Sequence, residues 1–250
     1  VKEGDFTFVY GFPGSTREYI TSDAVYYNAE ISNPEKIKLR THRLAAQKRY
    51  MSKDQAVRIM YSSKNASVSN AWKKWQGEMK GIRKMNTVEV KKEYEKRFSE
   101  WAVGTEYESV LHQLELLYGQ LEPYAFANDY YRESVLVIEL PAFARNVQRT
   151  IEKGIDPSEV IDAFYKDYYL PIDKECFISL LKEFDANVPE KFKPQYFMDN
   201  MAKYSTVEAW ADEMYSKSVF ASEDSLSIAL AVLGAAGSDV ANEMDQDPAV

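Results

Sequence analysis

The first residues of the chain carry the hydrophobic pattern of a β-strand. The run 5–10 reads Asp-Phe-Thr-Phe-Val-Tyr, and strands favour aromatic and β-branched side chains. Gly11, Pro13 and Gly14 follow it, and such residues typically end a strand in a turn. We therefore predict one strand at the start, because the rest of the sequence shows no comparable strand pattern.

After this turn the pattern becomes helical, because apolar residues recur at spacings of three and four. Asn33-Pro34 supplies a cap and a proline at the first helical position. Asp156-Pro157-Ser158 likewise predicts the capped start of a helix. Pro141, in contrast, is expected to kink or end a helix. One strand followed by many helices predicts a mainly α, multi-helix domain. The predicted helices cover about 34–51, 52 to either 77 or 81, 88–102, 107–121, 130–140, 157–168, 172–185, 206–215 and 222–233.

The composition is that of a folded globular protein. The chain has 250 residues, of which 45% are hydrophobic and 28% charged, and it contains 18 Tyr, 12 Phe and 4 Trp. Disordered chains lack such aromatic content, and a chain of this length can bury roughly 70% of its unfolded surface. The last residues, 236–250, are acidic and poor in large apolar side chains, so we expect a loosely held tail.

Charge and hydropathy argue against nucleic-acid binding and against a membrane span. Acidic residues outnumber basic ones 39 to 31, for a net charge of −8, whereas nucleic-acid binding depends on clustered Lys and Arg. The longest apolar run, 228–236, is far shorter than the roughly 20 residues of a membrane helix. We therefore expect neither nucleic-acid binding nor a membrane span.

Cys176 is the only cysteine. A single cysteine excludes both an internal disulfide and a zinc site built from several cysteines. We expect it to act as a small buried hydrophobe.

Two local patterns suggest binding chemistry, and both are weak. The glycine-rich run 11–16 could cradle a phosphate, but Arg17-Glu18 stands where a phosphate loop has its lysine, so a strand-ending turn is favoured. Glu108, His112 and Glu115 have helical spacing and could share a face as metal ligands. A helical di-metal site needs a second such set, but His42, the only other histidine, has no acidic residue three positions before it. We therefore expect Glu108, His112 and Glu115 to be polar surface residues, and no metal.

A serine hydrolase needs a nucleophile, a histidine base and an orienting acid. Neither His42 nor His112 lies near a Gly-x-Ser-x-Gly motif. The residues alone thus predict a helical scaffold or protein-interaction domain without a catalytic site.

Five stretches, in the same order and spread over nearly the whole chain, resemble one family. This family is the bacterial dipeptidyl-peptidases 7 and 11, serine exopeptidases with a chymotrypsin-like double barrel and an inserted helical domain. The stretches are Gly11-Phe-Pro-Gly-Ser-Thr-Arg-Glu-Tyr, Asp54-Gln-Ala-Val-Arg-Ile-Met-Tyr-Ser-Ser-Lys, Ser69-Asn-Ala-Trp-Lys-Lys-Trp, Asp173-Lys-Glu-Cys-Phe and Lys217-Ser-Val-Phe.

The resemblance implies a division of the chain. Residues 1–20 would be the terminal strand and turn of a catalytic β-barrel, 21–235 the helical domain, and 236–250 a flexible tail or linker back to the barrel. The family's catalytic histidine and aspartate lie before this region, and its serine follows in a Gly-Asn-Ser-Gly type motif that this sequence lacks. The resemblance therefore implies no catalytic residue, metal or cofactor in this chain, and no activity of the chain alone.

The family's helical domain caps the cleft and supplies an asparagine that helps to hold the free N-terminus of the peptide substrate. The resemblance assigns this role to Asn70, with Asn65 as the next candidate. A buried ammonium needs such acceptors, although an asparagine within a helix is more often a surface residue. The implied partners are the substrate N-terminus and the missing barrel domains, in the periplasm or at the cell surface. Acidic or hydrophobic preference at the second substrate residue stays open, as does the rival interpretation of a non-enzymatic interaction module.

Overall fold

A computed structural model describes residues 2, 4–8, 10, 17–236 and 240–250. These residues form a mainly α structure, which confirms the predicted fold class. Two π-helical segments, Tyr27–Ser32 and Tyr131–Val135, and two 3₁₀ turns, Glu190–Phe192 and Val219–Ala221, connect some of the helices. The α-helices are α1 Ser22–Tyr26, α2 Asn33–Met51, α3 Gln55–Lys84, α4 Thr87–Ala102, α5 Val110–Tyr130, α6 Glu139–Glu152, α7 Ser158–Tyr165, α8 Leu170–Asn187, α9 Gln195–Tyr204, α10 Val207–Lys217, α11 Glu223–Ala236 and α12 Val240–Met244.

The predicted N-terminal strand has no sheet to join in the described part of the chain. Residues 5–8 and 10 are assigned neither helix nor strand. Phe6 is 89% exposed and Tyr10 98% exposed, so these rings pack against little else. The strand stays a prediction, and the turn 11–16 lies outside the described residues.

The core forms where α2 and α3 pack side by side and α8 covers α2. Helix α2 contributes the fully buried Leu39, α3 contributes Tyr61, and α8 contributes Phe177 and Leu180. Burial of each such side chain stabilises the fold by about 1.5 to 3 kcal/mol. Helices α6 and α10 complete this core, whereas α4 and the first part of α5 extend from it with mostly exposed residues.

Several helix starts have the caps that the sequence predicts. The Asp54 carboxylate accepts the Ala56 N–H at 2.7 Å, the Asp156 carboxylate accepts the Ser158 N–H at 3.0 Å, and the Thr206 hydroxyl accepts the Ala209 N–H at 3.1 Å. Each satisfies a backbone donor that has no partner within its helix.

Pro141 does not end a helix as expected. It lies in the first turn of α6, after Glu139 and Leu140. A proline is tolerated there because the first N–H groups of a helix have no intrahelical acceptor. The predicted helix 130–140 is instead split into the end of α5, the second π-helical segment and the start of α6.

The end of the chain packs onto the core, in contrast to the loose tail expected. Met244 and Ala249 are buried, and the Asp247 carboxylate accepts the Val219 N–H at 2.8 Å. Val240 and Val250 also pack against this core, so a few apolar side chains and the Asp247 contact dock the acidic segment. The domain boundaries at 20 and 235 stay predictions.

Candidate functional site

Helix α3 carries Asn70 on its exposed side. The helix turns Val57, Tyr61 and Val68 toward the core, and Asn70 points away from them into solvent. Its side chain makes no hydrogen bond or ion pair with any other described residue. The amide oxygen is therefore available as an acceptor, although the substrate-binding role stays a prediction.

Asn65, the second candidate, already has a structural partner. It is half-buried, and its Nδ2 donates to Oε1 of the buried Gln47 at 3.0 Å. This bond ties α3 to α2. Asn65 is therefore less suited than Asn70 to receive a ligand.

Two tryptophans beside Asn70 fix the rotation of α3 on α2. The Trp72 indole N–H donates to the Thr41 hydroxyl at 2.9 Å. The Trp75 ring lies 4.7 Å from the Lys36 ammonium and 4.6 Å from the Arg40 guanidinium. Since aromatic faces attract cations, these contacts hold α3 in one orientation and so set the direction of Asn70.

A groove of about 530 Å³ opens between α1, the first π-helical segment and α5. At one end Asp129 accepts hydrogen bonds from the hydroxyls of Tyr27 at 3.2 Å and Ser32 at 2.6 Å. The groove has the volume of a small-ligand site. Its lining includes the charged residues Arg17, Asp23, Lys36, Glu115, Glu122 and Asp129.

Two charged groups of this groove have shifted pKa values. Burial raises the pKa of Asp23, and the nearby carboxylates of Glu95 and Glu115 raise it further. Burial also lowers the pKa of Lys36, against the opposing effect of Asp129. Lys36 makes no hydrogen bond or ion pair with a described residue. Perturbed groups in a groove are typical of functional sites and also of structural charge clusters.

A second groove lies between α2 and α3 on the side of Trp72. Ile37 and Met79 line it together with Arg83, whose guanidinium is bound by both carboxylate oxygens of Glu30 at 2.9 and 2.7 Å. Asn70 lines neither groove.

His42 and His112 each lie near a glutamate carboxylate. Nε2 of His42 lies 3.4 Å from Glu183, and Nδ1 of His112 lies 3.7 Å from Glu115. Neither imidazole is hydrogen-bonded to a serine, threonine or cysteine of the described chain. Cys176 is buried, as predicted, and burial raises the pKa of its thiol.

The three residues considered as metal ligands do not converge. Glu108 precedes α5 and accepts the Gly104 N–H at 3.0 Å, whereas His112 and Glu115 point into solvent. Within the part of the chain that the structure describes, no group of three or more His, Cys, Asp or Glu side chains could hold a metal ion. No helix there is long and apolar enough to cross a membrane.

Asp173, within the fourth family-like stretch, is a buried structural carboxylate. It accepts the N–H groups of Glu139 at 2.7 Å and Leu140 at 2.9 Å and the Tyr215 hydroxyl at 2.8 Å. Burial raises the pKa of Asp173 to about 6, and the Glu139 carboxylate adds to the rise. The three hydrogen bonds that Asp173 accepts favour its ionised form, and it lies at the start of α6, where the helix dipole also favours negative charge.

The comparisons with known proteins agree on one family. The Peptidase S46 family matches residues 1–250. The Asp/Glu-specific dipeptidyl-peptidase of Flavobacterium psychrophilum is 33% identical over 235 residues, which are 87% of this chain and 32% of that protein. Dipeptidyl-peptidase 7 of Porphyromonas gingivalis is 28% identical over 260 residues, covering 100% of this chain and 36% of that protein.

The fold is likewise shared with a solved member. The crystal structure of Porphyromonas endodontalis DPP11 in complex with the dipeptide Arg-Glu matches with a TM-score of 0.80 and 24% identity, over 96% of this chain and 36% of that chain. This chain therefore spans about a third of the length of the relatives it matches. The rival interpretation required the family resemblance to be a coincidence, and these matches remove that premise. The chain belongs to the Peptidase S46 family.

Proposed function

We propose that this chain is the helical cap domain of a serine dipeptidyl aminopeptidase. The parent enzyme would remove dipeptides from peptide N-termini through an acyl-enzyme, without a metal or cofactor. The supporting observation is the match of the whole chain to a family whose relatives are named dipeptidyl-peptidases.

In this proposal the catalytic residues lie in the parent's barrel domains. No Gly-Asn-Ser-Gly motif occurs in the 250 residues, and neither histidine has a nucleophile as its partner among the described residues. The chain would close one side of the substrate cleft and depend on the barrels for the reaction. Its compartment would be the periplasm or the cell surface, which fractionation of the producing cells would test.

Asn70 would accept a hydrogen bond from the substrate's N-terminal ammonium. Its exposure and lack of a partner among the described residues support this role. Cleavage after two residues requires a group that recognises the free amine. A neutral amide oxygen is a suitable acceptor, and it leaves the charge to be neutralised by another part of the parent.

The test is Asn70→Ala in the full-length parent. Loss of a hydrogen bond to a charged group costs about 1.5 to 3 kcal/mol, so kcat/KM for dipeptidyl substrates should fall roughly ten- to a hundredfold. A small acylating inhibitor without an amine should still react with the serine at the wild-type rate. The 250-residue chain alone should release no dipeptide.

Asn65→Ala is the matched control, because it changes the same residue type on the same helix. It removes the bond to Gln47 and should lower the melting temperature while leaving kcat/KM within about threefold of wild type. Wild-type turnover of Asn70→Ala together with a large loss for Asn65→Ala would overturn the assignment to Asn70.

A further inference from the structure

Helix α3, which carries Asn70, has an unusual concentration of positive charge. It contains seven basic residues and a single acidic one, so its net charge is +6, whereas the whole chain has a net charge of −8. The basic residues are Arg58, Lys64, Lys73, Lys74, Lys80, Arg83 and Lys84. A local excess of one sign of charge raises the concentration of oppositely charged ligands near that surface.

Three of these basic residues already have an acidic partner. Lys64 is paired with Glu139, Arg83 is paired with Glu30, and Lys74 is paired with the one acidic residue of the helix. These three side chains are therefore accounted for by contacts within the chain.

Three further lysines lack such a partner. Lys73, Lys80 and Lys84 are exposed and make no hydrogen bond, ion pair or ring contact with a described residue. Positions 70, 73, 77, 80 and 84 follow alternating steps of three and four residues, so they lie on one side of the helix. We call Lys73, Lys80 and Lys84 the lysine row. It continues the line that starts at Asn70.

The surface along the lysine row is open and polar. Gly77 lies between Lys73 and Lys80, and a side chain added at Gly77 would meet no atom within 4 Å. The backbone of a ligand chain can therefore approach the helix closely at this point. The line from 70 to 84 contains only Asn, Lys and Gly, so it lacks the apolar side chains with which a helix inserts into a membrane surface.

We propose that the lysine row binds the carboxylate side chains of an acidic peptide substrate, downstream of the bond that the parent enzyme cleaves. The inference rests on the proposed function, because it takes Asn70 as the position of the substrate's N-terminus. Charge complementarity selects an acidic peptide, and the position of the row next to Asn70 selects the substrate itself.

The spacing of the row determines which substrate residues it contacts. A helix rises about 1.5 Å per residue, so Lys80 and Lys84 lie about 15 and 21 Å along the helix from Asn70. An extended peptide advances about 3.3 Å per residue. Its residues at about positions five to seven therefore lie beside Lys80 and Lys84. These positions belong to the part that is released after the dipeptide is removed.

The kinetic test uses the full-length parent and two octapeptides that differ only at residues five to seven, which are Glu in one peptide and Gln in the other. The Glu peptide should have the higher kcat/KM by roughly three- to tenfold, because exposed ion pairs each contribute a small factor. This preference should disappear in about 1 M salt, where charges are screened beyond about 3 Å. Lys80→Gln combined with Lys84→Gln should abolish it, while kcat/KM for a dipeptidyl substrate too short to reach these lysines stays unchanged.

Lys153→Gln combined with Lys166→Gln is the matched control. It removes the same charge from two exposed lysines that lie outside α3, and it should leave the preference for the Glu peptide intact. Equal turnover of the two peptides by the wild-type parent, or equal losses of preference in the two double variants, would overturn the proposal.

A binding measurement separates this proposal from the proposed function. The probe is a fluorescently labelled, N-acetylated octapeptide of Glu, which has no free amine and requires no catalysis. In fluorescence anisotropy at low salt, its Kd for the 250-residue chain should rise at least threefold in the Lys80→Gln, Lys84→Gln variant and less than twofold in the control variant. Tighter binding of a single-stranded oligonucleotide, or equal binding of a Gln octapeptide, would overturn the assignment to acidic peptides. A parent that releases no dipeptide but still binds this probe through the row would refute the proposed function alone.

Discussion

Asp173 offers the sharpest test of what holds the helices together. Its carboxylate lies on α8 but accepts the first two N–H groups of α6, those of Glu139 and Leu140. It therefore serves as the N-terminal cap of a helix that lies more than 20 residues earlier in the sequence. Asp173→Asn keeps the size of the side chain and removes one of its two acceptor oxygens.

The expected loss can be worked out from these contacts. The amide oxygen can keep the bond to Leu140 or the bond to Glu139, and the new NH₂ group then faces the other N–H. One buried donor is left without an acceptor, which costs about 1 to 3 kcal/mol, and the charge-assisted bond is lost as well. Removal of the buried charge offsets part of this. We expect a net loss of about 2 to 4 kcal/mol.

Chemical denaturation followed by circular dichroism at pH 7.5 measures this loss. Asp156→Asn is the control, because Asp156 also accepts the first N–H of a helix, that of Ser158 in α7, but uses one oxygen and is exposed. The midpoint of this variant should shift much less. Should Asp173→Asn unfold at the wild-type midpoint, the carboxylate would not hold α6 in place.

Two further predictions concern Lys36 and Trp75. Trp75→Ala should lower the free energy of unfolding by about 2 to 3 kcal/mol, because two cation contacts of the ring and its packing are lost. Trp101→Ala is the control and should lower it clearly less, because the Trp101 ring is exposed. Equal losses for the two variants would contradict the role of Trp75. The Lys36 ammonium should titrate below other lysines in carbon-13 NMR, since burial lowers its pKa. The folded chain then binds this proton more weakly than the unfolded chain, so stability relative to Lys36→Met should rise as the pH increases toward the ordinary lysine pKa. A Lys36 titration at the ordinary value would refute this.

The helices with strong start signals could be predicted from the sequence. Asp54 marks a start that the structure confirms, because α3 begins at Gln55. Asn33-Pro34 does not start a new helix: residues 22–32 are already helical, and both Ser32 and Asn33 have helical backbone angles without a side-chain cap. Helix α3 continues through Gly77 and Gly81 to Lys84, because a glycine in an exposed helical position costs only about 1 kcal/mol relative to alanine and does not end a long helix.

The missed helices had weak or misleading signals. Helix α6 was hidden by Pro141, although Leu140, Phe143, Ala144 and Val147 are buried at helical spacing. Helix α9 starts after Pro194 without a side-chain cap and buries only Phe197. Such helices depend on tertiary packing more than on local sequence.

The groove beside α1 could not be predicted, because its parts are distant in the sequence. One wall comes from residues 17–36 and the other from residues 115–129. Each part alone resembles a solvated helix surface. The two π-helical segments, from one of which Tyr27 and Ser32 reach Asp129, also leave no sequence signal.

The family-like stretches contain both buried and exposed residues, and these two kinds of residue support different conclusions. Asp173, Cys176, Phe177 and Phe220 are all buried, so the stretches that contain them report the fold. Asn70, in contrast, is exposed, and its side chain makes no hydrogen bond or ion pair with a described residue. An asparagine at an exposed helical position lowers helix stability by about 0.5 kcal/mol relative to alanine. Asn70→Ala should therefore stabilise the 250-residue chain slightly while it impairs the parent enzyme. That opposition between stability and activity is the expected signature of a residue retained for binding, and a variant that loses both would place Asn70 in the structure instead.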